Sequence, residues 1–492
     1  MQDHSLTHAK LVNGTLNIVT PEMFGAVGNG IADDTDAIQA AVNAGICVVF
    51  DSNKTYLVSI PTGQEYAIGI PSNRIIHGNN ARIQLAANVL TSYQVFITAD
   101  SNNITFDSLN IIGDLATHTG STGELCEGIK IIRATNIRVI NCTISYCWGD
   151  GIRITGAGCK NIVLSGSTIH HCGRNGLSVE DSENLLVDSC IFHDIYRTAP
   201  NASIDIEPYA ANSTLKNVLI SNCVSNNQTG LGYVAAITDA VTGGDVKFTN
   251  CKHIGGRSVF YNYGSGNRIT IEGCCLAQVG IVQTDPNSHL IMKDTEIAVS
   301  FASSSAYSNG GIIFDFTSAR AIAPLDSITS IYNVVCDVRL LGITNAAEPI
   351  KMWMGNTPAS ELLKAGNRFD LDITGNWASL NDLLLVQAIG WTDFEKRKTV
   401  ITNARGYFYL TQFIMIDENS ICGGTFAIAN MLERVKYSIT AGGSIQRSME
   451  LFVTDAASNY TLTYLDGTTA YIAAGETVFL ERIGSIIYVS KR

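Results

Sequence analysis

The sequence predicts an all-β protein in which short strands stack as a parallel β-helix. Two half-motifs recur along the chain, one at 128–132, 151–155, 176–180 and 203–207, the other at 136–142, 161–167, 184–190 and 217–223. Within each half-motif apolar residues alternate with variable ones, the period of a strand with one buried face. Self-similarity at roughly 20–50 residues marks a stacked-repeat architecture. Two short strands per repeat, with no helical stretch between them, indicate the coils of a parallel β-helix.

The composition fits one long repeat architecture with a large core. The chain has 492 residues, of which 46% are apolar and only 15% are charged. A chain of this length usually forms more than one domain, but solenoids run longer than the usual length prior. Glycine is abundant, with 44 residues, and proline is scarce, with 9, which suits many tight turns.

The charge and the termini exclude several classes of partner. The net charge is −12, whereas a nucleic-acid partner requires a basic face. The first residues lack the charged-then-apolar plan of a signal peptide. No apolar run approaches the ~18 residues that span a bilayer. We therefore expect a protein made in the cytoplasm, with no nucleic-acid partner and no membrane insertion.

The thirteen cysteines predict packing thiols rather than ligands or disulfides. Five of them recur at one place in the repeat: Cys142, Cys190, Cys223, Cys251 and Cys274. Free cysteine is often buried and behaves as a small hydrophobic residue. Because no CxxC pair is present, the sequence predicts no metal site, and it implies no organic cofactor.

A short helix is predicted before the first coil, over about 35–44. Asp34 suits its N-cap and Gly45 its stop. Its apolar stripe consists of Ile38, Ala41 and Val42. That stripe needs a surface to bury, and the open end of a β-helix offers one. Residues 1–45 are therefore predicted as an N-terminal segment with a capping helix.

The β-helix itself is predicted over 46–410, with regular coils to about 300. Beyond that point strand-like runs persist at 311–316, 330–337, 367–373, 382–387 and 399–403. These runs are either further coils or an intertwined stem, and the sequence leaves both open. Closely spaced strands broken by Gly, Asn and Asp turns predict a small antiparallel β domain over 411–492.

The segment from Phe24 to Ala41, FGAVGNGIADDTDAIQAA, resembles the opening of the pectate-lyase-like superfamily. It looks most like the branch of bacteriophage tailspikes and capsule depolymerases. The resemblance implies a right-handed single-stranded parallel β-helix and a homotrimer that binds and cuts bacterial surface polysaccharide. It also implies contacts of the N-terminus with other phage tail proteins, a C-terminal domain for trimerisation or carbohydrate binding, and a place in the virion, acting outside the bacterial cell.

Aligning the coils places three carboxylates on one outward face. One outward column reads Lys130, Arg153, Ser178 and Asp205, the next reads Ile132, Thr155, Glu180 and Glu207, and the position before the strand reads Glu127, Asp150, Asn175 and Ala202. Neighbouring coils lie about 4.8 Å apart, so Glu180 and Glu207 are predicted as vertical neighbours. Asp205 lies beside Glu207. These like charges have no obvious partners in the sequence.

Crowded carboxylates suit hydrolysis of a glycosidic bond. Like charges raise one pKa, so that one group serves as acid while its neighbour serves as base or nucleophile. The predicted catalytic residues are Glu207, Asp205 and Glu180, with Asp150 in reserve. The run Ser203–Pro208 is also similar to a strand motif of related phage depolymerases. Retaining and inverting outcomes both stay open, with a slight preference for inversion.

Basic, aromatic and amide side chains around these coils are the predicted sugar contacts. They are Arg153, Lys130, Arg174, Trp148, Tyr209, Asn175, His170 and Tyr196. An alternative hypothesis is a lyase acting by β-elimination, with a base such as His170, His193 or Tyr196 and a cation that neutralises the uronate. A third hypothesis is a receptor spike that binds polysaccharide without cutting it. A purely structural fibre is disfavoured, since it needs no converging carboxylates.

Overall fold

The structure, a computed structural model, describes residues 17–298 apart from 228, 229 and 284, and beyond them separate strands between 310 and 491. The chain forms two compact units, and the boundary between them follows Gly256. The contacts with other tail proteins are predicted for the N-terminus, of which residues 1–16 lie outside the described part. Among the described residues, no helix has the length and apolar character needed to cross a bilayer.

The first unit consists of three parallel sheets, each receiving one strand per coil. Sheet 1 contains Tyr66–Gly69, Ser92–Ala99, Leu125–Ile132, Ile152–Thr155, Leu177–Val179, Ala202–Ile206 and Leu231–Ile237. Sheet 2 contains Ile18–Val19, Cys47–Val49, Arg74–His77, Asn102–Asp107, Thr135–Ile140, Lys160–Ser165, Ser182–Asp188, Leu215–Ser221 and Asp245–Thr249. Sheet 3 contains Asn29–Asp33, Thr55–Val58, Arg82–Leu85, Asn110–Ile112, Thr143–Ser145, Thr168–His170, Ile191–His193, Val224–Asn227 and Lys252–Gly255. The chain visits the sheets in this order, which is the topology of the predicted right-handed parallel β-helix.

The register of sheet 1 confirms the predicted inward columns. Ile129, Ile152, Leu177 and Ile204 pair in succession along neighbouring strands. Each of these four side chains is completely buried. Burial of apolar surface stabilises a folded protein by about 25 cal/mol per Å², so this ladder of aliphatic side chains is a main source of stability.

An asparagine ladder begins the strands of sheet 2. The asparagines that lead the repeat all take positive φ angles: Asn73, Asn103, Asn136, Asn161, Asn184 and Asn217. Each of the last five donates from Nδ2 to the Oδ1 of the asparagine one coil earlier, at 2.9–3.0 Å. Asparagine enters the left-handed region more easily than most residues. This explains the Asn that leads the second half-motif in the sequence.

The repeat cysteines are buried thiols, as predicted. Cys142, Cys190, Cys223, Cys251 and Cys274 are all buried, and none of the cysteines in the described residues forms a disulfide. Burial raises the pKa of the Cys142 thiol to about 12, so it stays protonated and inert. These thiols therefore serve the packing of the core.

The predicted helix is present as Thr35–Ala44, after a short 3₁₀ helix at Pro21–Phe24. Its stripe of Ile38, Ala41 and Val42 is buried as expected. Asp34 is the N-cap residue, as predicted, but its side chain makes no capping hydrogen bond to the helix. The Asp34 carboxylate instead accepts hydrogen bonds from the backbone N–H groups of Val27 and Gly28, at 2.6 and 3.0 Å. The Asp34 carboxylate therefore stabilises the loop before the helix. That the helix caps the end of the β-helix remains a prediction.

The second unit continues with parallel pairing before antiparallel strands appear. Its parallel strands are Ser258–Asn262, Val279–Gln283, Gly310–Asp315, Glu348–Trp353 and Val386–Ile389 in one sheet, and Arg268–Glu272, Cys275–Leu276, His289–Ala298, Val334–Ile343, Arg368–Gly375, Val400–Thr402 and Met415–Ile416 in another. The remaining strands are Arg405–Tyr407, Ile421–Gly423, Thr425–Ala427, Lys436–Thr440, Met449–Phe452, Thr461–Tyr464, Tyr471–Ile472, Thr477–Ile483 and Ile486–Lys491. Among these remaining strands the pairing is mixed. Antiparallel pairing joins Thr477–Ile483 to Lys436–Thr440 and to Ile486–Lys491, and Met449–Phe452 to Tyr471–Ile472. Parallel pairing joins Arg405–Tyr407 to Ile421–Gly423, Thr425–Ala427 to Met449–Phe452, and Thr461–Tyr464 to Ile486–Lys491. The boundary at 410 and the role of the last 82 residues, 411–492, remain predictions.

Candidate active site

The predicted outward column of sheet 1 is present in the structure. Lys130 pairs with Arg153, Arg153 with Ser178, and Ser178 with Asp205. The position before the strand also stacks as predicted, because Gly128 donates to the Asp150 carbonyl and Gly151 to the Asn175 carbonyl. The two columns together gather the predicted polar residues into two neighbouring groups, centred on Arg153 and on Asp205.

Arg153 lies between two carboxylates from different coils. Its guanidinium donates to Glu180 Oε1 at 2.8 Å and to Glu127 Oε1 at 3.1 Å. Glu127 is completely buried and also accepts from Gln94 Nε2 at 2.8 Å. Burial acts to lower the pKa of Arg153, but the charges of Glu180 and Glu127 outweigh it and raise the pKa overall. Arg153 therefore stays charged and joins three successive coils.

The expectation that Glu180 lacks a partner is wrong. Both of its oxygens are occupied, Oε1 by Arg153 and Oε2 by the Thr155 hydroxyl. Two hydrogen bonds to the charged form, one of them from a cation, neutralise this group within the protein. Its proposed catalytic role remains untested, but these contacts favour a structural role that holds the coils in register.

Asp150 anchors the second group from a fully buried position. Its Oδ2 accepts from Arg174 at 3.1 Å and from the Ser178 hydroxyl at 2.8 Å, and its Oδ1 accepts from the Asn175 backbone N–H at 3.1 Å. Burial raises the pKa of Asp150 to about 6, although the charge of Arg174 opposes this shift. The carboxylate is thus mostly ionised at neutral pH, and it orients Ser178.

Asp205 is buried, with 3% of its surface exposed, and it lacks an ion pair among the described residues. Its Oδ2 accepts from Asn175 Nδ2 at 2.9 Å, and the same Nδ2 also contacts the Ser178 hydroxyl at 3.0 Å. Its Oδ1 is buried without a hydrogen-bond partner. Burial, and then the negative charge of Glu207, raise the pKa of Asp205 to about 8. This carboxyl is therefore protonated at neutral pH.

Glu207 differs from Asp205 in its exposure. It is half-buried at the end of the strand Ala202–Ile206, and its Oε2 accepts from the Tyr209 hydroxyl at 2.7 Å. Tyr209 is itself 60% exposed. Burial and the hydrogen bond to Glu207 raise the pKa of Tyr209, so the phenol stays protonated and continues to donate. A solvent-accessible carboxylate therefore lies two residues from a buried carboxylic acid.

This pair offers a proton donor and a proton acceptor on one strand. Residues i and i+2 of a strand lie about 6.6 Å apart and project from the same face. Two carboxyl groups whose environments separate their pKa values can divide the acid and base roles of glycoside cleavage. The amide of Asn175 and the ion pair of Asp150 with Arg174 hold Asp205 in place from the preceding coils.

Trp148 lies in a different environment from the one predicted for a sugar platform. The guanidinium of Arg197 lies 3.9 Å from the indole centroid, and the His118 ring stacks on Trp148 at 4.1 Å. The indole N–H donates to the Thr122 carbonyl at 3.2 Å. These groups occupy indole surface that the prediction assigned to a sugar. Trp148 thus joins neighbouring turns, and sugar stacking remains an untested prediction.

The other predicted sugar contacts fall into separate places. Arg174 and Asn175 lie in the Asp205 group, and Tyr209 contacts Glu207. His170 lies on sheet 3, and Tyr196 is close to the neighbouring His171, with ring centroids 6.3 Å apart. The structure therefore brings the predicted arginine, asparagine and Tyr209 contacts to the carboxylates but places His170 and Tyr196 in a second cluster.

Sequence reasoning missed three members of the site. Glu127, Ser178 and Thr155 each stood in an aligned column, yet none was chosen as functional. The alignment of the coils could have identified Glu127, because Glu127 stands one coil before Asp150 in the same column, beside the strand that carries Arg153. The register alone does not reveal that Arg153 lies between Glu127 and Glu180, since that choice depends on the side-chain torsions of a long residue.

Comparisons with known proteins agree with this fold. Residues 31–276, half of the chain, match the family model described as a right handed beta helix region. The pre-neck appendage protein of Bacillus phage B103 is 24% identical over 275 residues, which cover 49% of this chain and 31% of that protein. A capsule-specific depolymerase of Klebsiella phage K64-1 is 25% identical over 244 residues, covering 45% of this chain and 29% of that protein. The chain therefore spans less than a third of the length of these two relatives.

Among solved structures, a mutant tailspike protein of E. coli bacteriophage HK620 aligns with a TM-score of 0.47 and 11% identity. The alignment covers 96% of this chain and 92% of that one. At this level of identity the likeness concerns the fold alone.

Proposed function

The chain belongs to the family of proteins with a right-handed β-helix region, and from its polar site we propose that it is a depolymerase that hydrolyses a bacterial surface polysaccharide. The proposal places it on a phage tailspike or appendage, as a homotrimer acting outside the bacterial cell. The names of its relatives support this setting, since they include a phage appendage protein and a capsule depolymerase. The substrate class and the trimer belong to the proposal.

One observation carries the hydrolase assignment: a protonated, buried Asp205 beside a half-exposed Glu207. A general acid works best when its pKa lies near the operating pH. The value of about 8 for Asp205 meets that condition at neutral pH. The pair therefore supports a site in which Asp205 protonates the leaving group and Glu207 serves as base or nucleophile.

In the proposed reaction Asp205 donates its proton to the glycosidic oxygen as the bond from that oxygen to the anomeric carbon breaks. In the inverting form Glu207 takes a proton from the water that attacks the anomeric carbon. In the retaining form Glu207 attacks that carbon itself. Asp205 then takes a proton from the water that displaces Glu207 and releases the sugar, so both groups return to their starting states. Each form yields one new reducing end, and the inverting form recovers its starting protonation by proton exchange with solvent. Lys130, Arg174, Asn175 and Tyr209 are the proposed sugar contacts.

A second candidate function, β-elimination on a uronic acid, is favoured by one observation. Lys130 lies in the same outward column as Arg153, and among the described residues it makes no ion pair. A cation of this kind could neutralise a uronate. Arg153 and Arg174 suit that task less well, because both already bind carboxylates of the protein. Hydrolysis remains the better supported function, since carboxyl groups occupy the centre of the site.

Product analysis separates these candidates. The purified chain is incubated with a panel of capsular and O-antigen polysaccharides, and the released oligosaccharides are analysed by mass spectrometry and ultraviolet absorbance. We expect new reducing ends without an unsaturated uronate. An unsaturated uronate at the non-reducing end would establish the lyase instead. Binding without any release of oligosaccharide would leave only the receptor function.

A further inference from the structure

A cluster of imidazoles lies on sheet 3, apart from the carboxylates of sheet 1. His170 pairs in register with His193 on the next coil, and their rings stack with centroids 4.7 Å apart and planes 4° apart. Each is followed by a second polar residue at the same place in its coil, His171 and Asp194. The repeat therefore stacks the pair His170–His171 directly on the pair His193–Asp194 of the next coil.

The nitrogen and oxygen atoms of these pairs converge. One ring nitrogen from each of the three histidines lies within 4.8 Å of the other two. Asp194 Oδ2 lies 2.7 Å from His193 Nδ1 and 3.9 Å from His171 Nε2. Zinc ligands in proteins sit about 2.0–2.2 Å from the ion, so ligand atoms bound to one ion are about 3–4 Å apart. Shifts of about 1 Å would bring the three imidazole nitrogens to that spacing, and Asp194 lies beside His193 as a further oxygen ligand.

Two of the three imidazoles lie in direct contact. The Nδ1 atoms of His170 and His171 lie only 2.7 Å apart. A neutral imidazole is the commonest metal ligand in proteins.

Partial exposure leaves the cluster open to an ion from solvent. About a third of each side chain is exposed in His171 and His193, at 32% and 30%, and 56% in Asp194. Tyr146 stacks on His171, with ring centroids 4.9 Å apart. The rings can therefore turn slightly toward an ion without disturbing the buried columns.

We propose that His170, His171, His193 and Asp194 bind one divalent transition-metal ion of the zinc type, which ties two successive coils together. Three imidazoles and one carboxylate suit Zn²⁺, Ni²⁺, Co²⁺ or Cu²⁺, whereas Ca²⁺ and Mg²⁺ require oxygen ligands. The inference is independent of the proposed hydrolase activity. The prediction of no metal site depended on the absence of a CxxC pair, which does not bear on histidine ligands.

The test uses metal binding rather than catalysis. The full chain, stripped with a chelator, is titrated with Co²⁺ while the visible absorption of the ion is followed, and its melting temperature is then measured with and without Zn²⁺. We expect one cobalt site with a ligand-field spectrum and a higher melting temperature with zinc, because an ion that binds only the folded chain stabilises it. The absence of both signals in the wild type would overturn the proposal.

Substitutions then locate the site. His193→Gln, His171→Gln and Asp194→Asn should each weaken cobalt binding by at least about tenfold, because even the loss of a partner that only orients a ligand weakens metal binding by about 10–100-fold. His77→Gln is the matched control, because His77 also pairs with a carboxylate, Asp107, at 2.9 Å but stands outside the cluster. Circular dichroism confirms that each variant is folded. Cobalt affinity that survives both histidine substitutions would contradict the assignment.

Discussion

Glu180 and Asp205 are outward carboxyl groups on adjacent coils of sheet 1, yet their surroundings give them opposite properties. Glu180 binds the guanidinium of Arg153 and the hydroxyl of Thr155. Asp205 receives only the neutral amide of Asn175, and its second oxygen is buried without a partner. A cation thus neutralises one carboxylate, whereas the other avoids the burial of a charge by holding a proton.

The difference shows how one repeat separates structural from chemical roles. Alignment of the coils puts acidic residues on one face, but the nearest cation decides which of them is available for proton transfer. Arg153 satisfies Glu127 and Glu180, and Arg174 satisfies Asp150. Asp205 is left beside Glu207, and that pair is the site of the proposed chemistry.

The largest expected effect is on catalysis. Glu207→Gln and Asp205→Asn should each lower the rate of oligosaccharide release by about 10²–10⁴-fold, the usual contribution of general acid–base catalysis. Each change keeps the shape of the side chain but removes its ability to exchange a proton. The rate is measured as new reducing ends per time at saturating polysaccharide.

Glu183→Gln is the control for this pair, because Glu183 lies on sheet 2 in an exposed ion pair with Lys160. Its rate should equal that of the wild type. If Glu207→Gln retained the rate of the control, the proposed acid–base pair would be wrong.

The next effect is on stability and concerns the structural carboxylates. Arg153→Met should lower the free energy of unfolding by about 3–5 kcal/mol, because it leaves the buried Glu127 and the nearly buried Glu180 without a cation. Chemical denaturation followed by circular dichroism measures this change.

Lys160→Met is the matched control, since it breaks an ion pair with Glu183 on the surface. Surface ion pairs contribute little, so its denaturation midpoint should stay that of the wild type. Equal effects of the two substitutions would show that Arg153 does not have the structural role assigned to it.

A smaller effect distinguishes Asp205 from Glu180 by pH. The pKa of Asp205 rises from its ordinary value of 3.8 to about 8 on folding. Its contribution to stability is fully present below about pH 4 and is lost progressively as the pH rises toward 8. Asp205→Asn removes this dependence, so the variant should be more stable than the wild type at pH 8 and gain little at pH 4. Unfolding curves at the two pH values test this, and a variant less stable at pH 8 would oppose it.

The smallest effect is on the pH profile of the reaction. Because Asp205 must be protonated to act as the acid, the rate should fall to about half its maximum near its pKa of about 8 and decrease further above it. Initial rates across the pH range measure this limb. A rate still rising at pH 9 would fit a lyase with a basic catalytic group better than the proposed hydrolase.

The sequence was sufficient to predict the β-helix and the register of sheet 1, because both depend on the period of the apolar residues. It therefore placed Ser178 beside Asp205 and Asp150 beside Asn175 correctly. It could not predict that Arg153 turns to Glu180, or that Arg197 and His118 cover Trp148, since long side chains choose among rotamers by contacts between coils. It could not give the pKa of Asp205 either, because that value depends on burial.

The most direct test of the acid–base pair is the titration of the Asp205 carboxyl itself. Infrared difference spectra between the wild type and Asp205→Asn, recorded as a function of pH, follow the carboxylic acid band of this one group. We expect a protonated carboxyl at neutral pH that titrates near pH 8, and a lower pKa when Glu207→Gln removes the neighbouring charge. A carboxyl that is already ionised at pH 6 and does not respond to Glu207→Gln would contradict the assignment of Asp205 as the acid.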